Sequence, residues 1–261
     1  MWDPAQYLRF GDERSRPFFD LVARIGADRP GLVVDLGCGP GQLTAALAQR
    51  WPGARVHGID SSAEMISAAE QVRRDAPAAS PGGLTFDRGD IRDWRPDEPV
   101  DVIVSNAVLQ WVPGHEKLLV PWVGALAPRG WLAFQVPGNL DQPIHAIARE
   151  LAGSPRWRPQ LAGVELNRQA ADPAEYVHLL SRGGCRVDAW ETTYLHVLAG
   201  EDPVLEWYKG TGLRPVLAAL EPARASAFLA EYGAAVRAAY PPAPYGTILP
   251  FRRVFVVARR D

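Results

Sequence analysis

Residues 32–41 read LVVDLGCGPG, and the order of residue types in that stretch decides the fold. Leu32, Val33 and Val34 are a short apolar run rich in β-branched side chains, the composition of a strand buried in a parallel sheet. Asp35 stands where such a strand ends. Gly37, Gly39 and Gly41 alternate with Cys38 and Pro40, and the Ala- and Leu-rich run from Gln42 to Arg50 continues as a helix. The unit is strand, glycine loop, helix, with an acid at the strand's exit. A glycine loop there lets backbone approach a ligand closely, because no Cβ intervenes. A dinucleotide fingerprint would need a third glycine at Gln42, and a P-loop would need Lys followed by Ser or Thr. The carboxylate of Asp35 suits a cationic ligand and would repel a pyrophosphate.

Outward from this unit the pattern repeats. Arg55 to Ile59 is a second strand, ending at Asp60. That acid lies about twenty residues past the loop, the offset at which a carboxylate accepts from ribose hydroxyls in nucleotide-binding α/β folds. Ser61 and Ser62 supply cap candidates for the next helix, to about Arg73. Met65, in its first turns, suits contact with a cofactor or the core. Leu84 to Arg88 is a third strand and runs into Gly89-Asp90-Ile91-Arg92-Asp93-Trp94, where Arg92 and Trp94 read as structural. Val100 to Ser105 is a fourth, continued by Asn106-Ala107-Val108-Leu109-Gln110-Trp111. An open sheet places ligands at the carboxyl end of such a strand. Gln110 and Trp111 there suit the wall of a site, with the core as the alternative for Trp111. After a helix over Leu118–Leu126, Trp131 to Val136 is the fifth strand. Strand and helix alternate five times over, which predicts a parallel, doubly wound sheet.

From Pro137 the regularity lapses. A helical piece, Ile144 to Leu151, precedes a polar loop rich in Pro, Arg and Trp. Pro173 to Arg182 is a helix ended by Gly183-Gly184, and Arg186 to Val197 alternates like a strand. Glu201 to Tyr240 holds two or three helices and the loop Gly210-Thr211-Gly212, and Phe251 to Ala258 is a last strand. The expected layout is one domain. Its core is about 28–137 with 172–197 and 250–261. A helical cap comes from about 138–171 and 198–249, and an arm from 1–27. Such insertions suit closure over a small-molecule site. In the arm, Tyr7 and Arg9 either cover a ligand or pack on the core.

The chain of 261 residues is 47% hydrophobic with net charge −2, so it is neither disordered nor drawn by charge to nucleic acid or anionic membrane. Cys38 and Cys185 are its only cysteines, and the five histidines are scattered, which argues against a structural disulfide and a metal site. No secretory leader and no run near the roughly 20 apolar residues of a membrane span is present, so a cytoplasmic location is expected.

The form D-x-G-x-G-x-G at Asp35–Gly41 resembles motif I of the class I S-adenosylmethionine (SAM) methyltransferases. That resemblance implies an α/β, doubly wound, Rossmann-like sheet with the loop against the methionine part of SAM. It implies Asp35 at the ammonium group, Asp90 at the adenine amino group, Ile91 over the ring, and Asn106 at the methionine part. Gly37, Gly39, Asp60, Ser61, Met65, Ala107 and Trp111 complete the expected cofactor set. Longer blocks narrow the match: Trp2-Asp3-Pro4 with Tyr7-Leu8, Glu13-Arg14-Ser15-Arg16-Pro17, GIDSSAEMI, SNAVLQWVPGH, WETTYLHVL, GTGLRP and FRRVFVVAR. With these the chain resembles the bacterial trans-aconitate 2-methyltransferases along nearly its whole length. The resemblance implies esterification of one carboxylate of a small polycarboxylate, with SAM as methyl donor and no catalytic general base. Arginine suits such an acid best. The expected acceptor-binding residues are Tyr7, Tyr194, Arg253 and Arg214. Arg9, Arg14, Arg16, Arg252, Trp111, His196 and Trp207 are further candidates. Two other readings stay open: another small acceptor, with His115 or His196 as base, and a SAM-binding protein without catalysis.

Overall fold

The computed structural model describes residues 11–75, 82–166 and 170–261, leaving aside the side chains of 11–14. The expected acceptor-binding residue Tyr7 and the candidates Arg9 and Arg14 therefore lie outside what is described. The chain divides into two compact units. Unit 1 comprises 1–136, 170–192 and 254–261, and unit 2 comprises 137–169 and 193–253.

Unit 1 opens with α1 (Gly11–Val22), β1 (Leu32–Leu36), α2 (Gln42–Arg50), β2 (Arg55–Asp60) and α3 (Ala63–Asp75). It continues with β3 (Leu84–Arg88), β4 (Val100–Asn106), a 3₁₀ turn (Leu109–Trp111), α4 (Glu116–Ala125) and β5 (Leu126–Pro137). After α5 (Pro143–Gly153) and α6 (Arg158–Leu161) come α7 (Pro173–Arg182) and β6 (Cys185–Leu198). Then follow α8 (Pro203–Lys209), α9 (Arg214–Ala219), α10 (Pro222–Ala239) and β7 (Thr247–Arg260).

The described strands form one sheet in the order β3-β2-β1-β4-β5-β7-β6. Strands β1 to β5 run parallel, with Asp35 opposite Gly58 on one side and Val104 on the other. The whole sheet is mixed. The order runs outward from β1 to β3, then restarts at β4 on the other side of β1. Ligand crevices in open α/β sheets form at that reversal, beyond the carboxyl ends of the two strands. Asp35 and Asn106 stand at those ends. Leu36, Ile59, Ile103, Leu132, Phe134, Tyr176 and Val256 belong to the core that buries the sheet.

Two expectations need correction. No helix separates β3 from β4, so the strand–helix alternation breaks there. Residues 89–99 are short, charged and turn-forming, and they cannot bury a helical face. The stretch after Leu151 is not all loop: Arg158–Leu161 is a helical turn. Trp157 anchors it, packed edge-on against Phe228 with its indole N–H donating to Glu231. Two glycines end α7, and the left-handed residue is the second, Gly184 (φ 80°).

Unit 2 has its own buried centre. Tyr232 Oη donates to the Ile144 carbonyl at 2.7 Å, and the Ile144 N–H donates to Tyr240 Oη at 3.2 Å. Tyr208 Oη and His145 Nδ1 are 2.9 Å apart. A Cβ on Gly212 would meet the Tyr208 ring at 2.0 Å, which explains a glycine in that loop. Among the described residues no helix is long and apolar enough to cross a membrane.

Candidate active site

The glycine loop is tied down by the end of β2. The N–H groups of Gly37 and Cys38 both donate to the Ile59 carbonyl, at 2.7 and 3.0 Å. Gly39 N–H donates to Asp60 Oδ2 at 3.0 Å, and Gly41 N–H to the Cys38 carbonyl at 3.3 Å. These donors are spent inside the protein, so the loop is not the phosphate cradle of a P-loop. Two of its glycines serve different ends. Gly37 has φ 86°, and a Cβ on it would lie 2.2 Å from Val108 Cγ2, so it lets β4's exit pack close. Gly39, with φ 55°, faces open space: a Cβ there meets nothing within 4 Å. The loop is thus bare on the side where a ligand can lie against backbone.

Asp60 sits half-buried between two backbone donors. Its Oδ2 accepts from Gly39 and its Oδ1 from Ser62 N–H at 2.9 Å. A carboxylate carries about four acceptor sites, so capacity for two hydroxyls remains. Ser62 Oγ accepts the Met65 N–H at 3.2 Å and caps α3. Ser61 is exposed, and its carbonyl accepts from Arg88 Nε. Met65 is buried.

Asp35 is the one buried acid among the described residues. Thr44 Oγ1, in the first turn of α2, donates to its Oδ2 at 2.6 Å. Burial pushes its carboxyl up from 3.8 to about 7, Thr44 pulls it down, and the Asp60 charge adds to the rise. Such a group gains most from a cationic ligand, which removes the reason for the shift.

Asp90 is paired with Arg92, whose Nε lies 3.0 Å from both carboxylate oxygens and holds the acid below its usual range. Arg92 is well exposed and leaves Asp90 room to accept from elsewhere. Ile91 is buried in the unit 1 core. Asn106 Oδ1 accepts from Gln135 Nε2 at 2.6 Å, and the Ala107 N–H donates to the Gln135 carbonyl. Ala107 takes the left-handed conformation (φ 57°), unusual without glycine. Gln110 Nε2 donates to the Ala107 carbonyl at 2.7 Å and steadies that turn. Trp111 is 37% exposed, so it is not a core residue. The structure therefore brings Asp35, Gly37, Gly39, Asp60, Asn106 and Ala107 to the carboxyl ends of β1, β2 and β4.

The described acceptor candidates Tyr194, Arg214 and Arg253 all lie in unit 2. Tyr194 and His196 stack, with centroids 6.1 Å apart, and His196 stacks in turn on Trp207 at 5.1 Å. Phe251 closes on Trp207 at 5.7 Å, and the Arg253 guanidinium lies 4.5 Å over the Phe251 ring. Arg253 is the only buried arginine or lysine among the described residues. Arg214 is half-buried at the start of α9. Arg252 spends Nη1 on the Gly138 carbonyl, and Arg16 is exposed. His115 is buried in unit 1 against Tyr176 Oη at 2.7 Å, and burial holds it below the usual imidazole value. It belongs to the core rather than to a base.

Thr44 and Gln135 escaped the sequence reading. Each is a polar residue among apolar neighbours at a buried position, Thr44 beside Leu43, Ala45 and Ala46 and Gln135 between Phe134 and Val136, and that contrast was the available signal.

Residues 33–130 match a family model described as a methyltransferase domain. The chain is 54% identical to a trans-aconitate 2-methyltransferase of Streptomyces avermitilis, covering 100% of this chain and 97% of that one. It is also 54% identical to the Streptomyces coelicolor enzyme of that name, over 99% and 86% of the two chains. Among solved structures, the YcgJ protein of Bacillus subtilis superposes with a TM-score of 0.61 at 12% identity, over 94% and 98% of the chains, a likeness of fold alone. With identity above half along its full length, the chain belongs to the trans-aconitate 2-methyltransferase family.

Proposed function

We propose that this protein transfers the methyl group of SAM to a carboxylate of trans-aconitate, giving the monomethyl ester and S-adenosylhomocysteine. The observation that carries the acceptor is the extent of the likeness. The methyltransferase model stops at residue 130, whereas identity to relatives named for trans-aconitate runs on through unit 2.

The residues suit the cofactor. Gly39 leaves backbone bare, Asp60 retains acceptor capacity for ribose hydroxyls, and Asp35 offers a buried negative charge to an ammonium group. Ser61, Met65, Asp90, Ile91, Asn106, Ala107 and Trp111 complete the proposed set. When bound, SAM supplies a methyl group on a cationic sulfur, which an oxygen of the acid displaces with its own electron pair while the sulfur keeps the pair of the broken bond. A carboxylate is already ionised at neutral pH, so no residue removes a proton. The protein's part is alignment and exclusion of water. Burying a polycarboxylate requires charge and hydrogen-bond donors, and Arg253, Arg214 and Tyr194 are the described residues we assign to it.

Asp35 makes cofactor affinity depend on pH. Its value near 7 means that below neutrality a proton must leave before a cation can bind. SAM affinity measured by calorimetry should be about tenfold weaker at pH 6 than at pH 8, with Asp35→Asn flat across that range. The same carboxyl acts oppositely on the ligand-free fold. Its native value exceeds its unfolded one, so its contribution to stability falls as pH rises from 3.8 to about 7.

Incubation with SAM and, separately, trans-aconitate, cis-aconitate, isocitrate and citrate tests the function. One methyl gained on trans-aconitate, with release of S-adenosylhomocysteine and much weaker signals elsewhere, is the expected result. SAM binding without turnover of any of these acids would overturn it.

A further inference from the structure

Residues 138–142 link β5 to α5, and their backbone is pinned at both ends. Gly138 N–H donates to the Arg252 carbonyl at 2.9 Å, and the Gly138 carbonyl accepts from Arg252 Nη1 at 2.7 Å. Gln142 N–H donates to the Asn139 carbonyl at 3.0 Å, and the Leu140 carbonyl accepts from Arg149 Nη1 at 2.9 Å. Within this held segment Asn139 is 2% exposed. Among the described residues its side-chain Nδ2 and Oδ1, both buried, have no hydrogen-bond partner, and Gln142 Oε1 is in the same condition. A primary amide buried in this way is costly, and an apolar side chain of similar size would fill the space better. A fixed backbone denies Asn139 the escape of turning outward. The arrangement makes sense when the partner arrives with a ligand.

The chemistry of the neighbourhood says which ligand. The Gly138–Arg252 pair stands one residue from Asn139 in the linking segment and one residue from Arg253 in β7. An amide donor and the only buried arginine or lysine among the described residues thus flank the same bonded pair. A carboxylate takes charge from a guanidinium and a directional bond from an amide N–H. A small acid with several carboxylates needs more donors than one arginine supplies.

We infer that Asn139 binds the methyl acceptor, its Nδ2 donating to a carboxylate oxygen of the acid, an inference that rests on the function proposed above. Oδ1 and Gln142 Oε1 then accept from water that enters with the acid. Asn139 contacts the acceptor and plays no part in holding SAM.

Asn139→Leu keeps the size and removes both polar atoms. It should raise KM for trans-aconitate at least about tenfold, leave SAM affinity within about twofold, and melt no lower than the natural chain. Asn139→Asp places a carboxylate against a carboxylate and should raise KM about 100-fold. If Asn139→Leu does not fold, Asn139→Ser, which keeps a shorter donor, carries the same test with a KM increase. Unchanged KM in these variants, with a lowered melting temperature, would overturn the inference and make the amide a structural group. Absence of turnover by the natural chain would instead strike the proposed function, and that is seen before any variant is compared.

Discussion

Asp60→Ala should weaken SAM binding by about 100-fold or more and also lower the stability of the ligand-free protein by about 1–2 kcal/mol. The two losses have different origins. Affinity falls because, on the proposed reading, two ribose hydroxyls lose charge-assisted bonds each worth about 1.5–3 kcal/mol. Stability falls because the carboxylate holds the glycine loop itself: removing it leaves the Gly39 and Ser62 N–H groups without their acceptors. Gly39 is the position where the loop is bare, so on the proposed reading its placement and the cofactor's share one side chain. Asp60→Asn keeps one oxygen and should fall between. Calorimetric titration with SAM and thermal unfolding of the ligand-free variant separate the effects. A loss of affinity with no change in melting would reduce Asp60 to a ligand contact; a loss of stability alone would remove it from the cofactor set.

How much of this was readable beforehand depended on where each partner lies in the chain. The strand–loop–helix of residues 32–50 was legible because its information is local: three β-branched or apolar residues, an acid, alternating glycines and a helix, in order. Asp60 was legible because a fixed offset in a βαβ unit delivers it to the same end of the sheet. Thr44 and Gln135 were not. Thr44 matters because of Asp35, nine residues back, and Gln135 because of Asn106, twenty-nine residues back, and neither spacing belongs to a motif. The break between β3 and β4 was hidden for another reason. Residues 89–99 carry chemistry-bearing types that draw attention to the site, not to the missing helical periodicity.

Unit 2 was the harder part. Three of its helices, α6, α8 and α9, have only four to seven residues, each with proline in its first turn, so periodicity gives their existence better than their limits. Composition there offers many arginines and no rule for choosing among them. Burial sets one of them apart. Arg252 and Arg253 are adjacent in β7, yet strand alternation sends them to opposite faces. One bonds a backbone carbonyl at Gly138, and the other is buried over an aromatic ring.

That contrast sets the second large effect. Arg253→Gln should raise KM for trans-aconitate about 100-fold or more, while SAM affinity stays within about twofold. The magnitude follows from removing a guanidinium from a site where water is scarce, so that a carboxylate loses both charge and a bidentate partner. Arg253→Lys should recover part of the loss, because the ammonium keeps the charge without the fork, and a residual KM increase of about tenfold is expected. The ordering Arg, Lys, Gln distinguishes a carboxylate contact from simple packing on Phe251, for which Lys and Gln would be about equally poor. Arg252→Gln is the control on the same strand: it gives up the bond to Gly138 and so acts first on stability. If Arg253→Gln left KM unchanged, the charge that meets the acid would have to be assigned to Arg214, the half-buried residue at the head of α9.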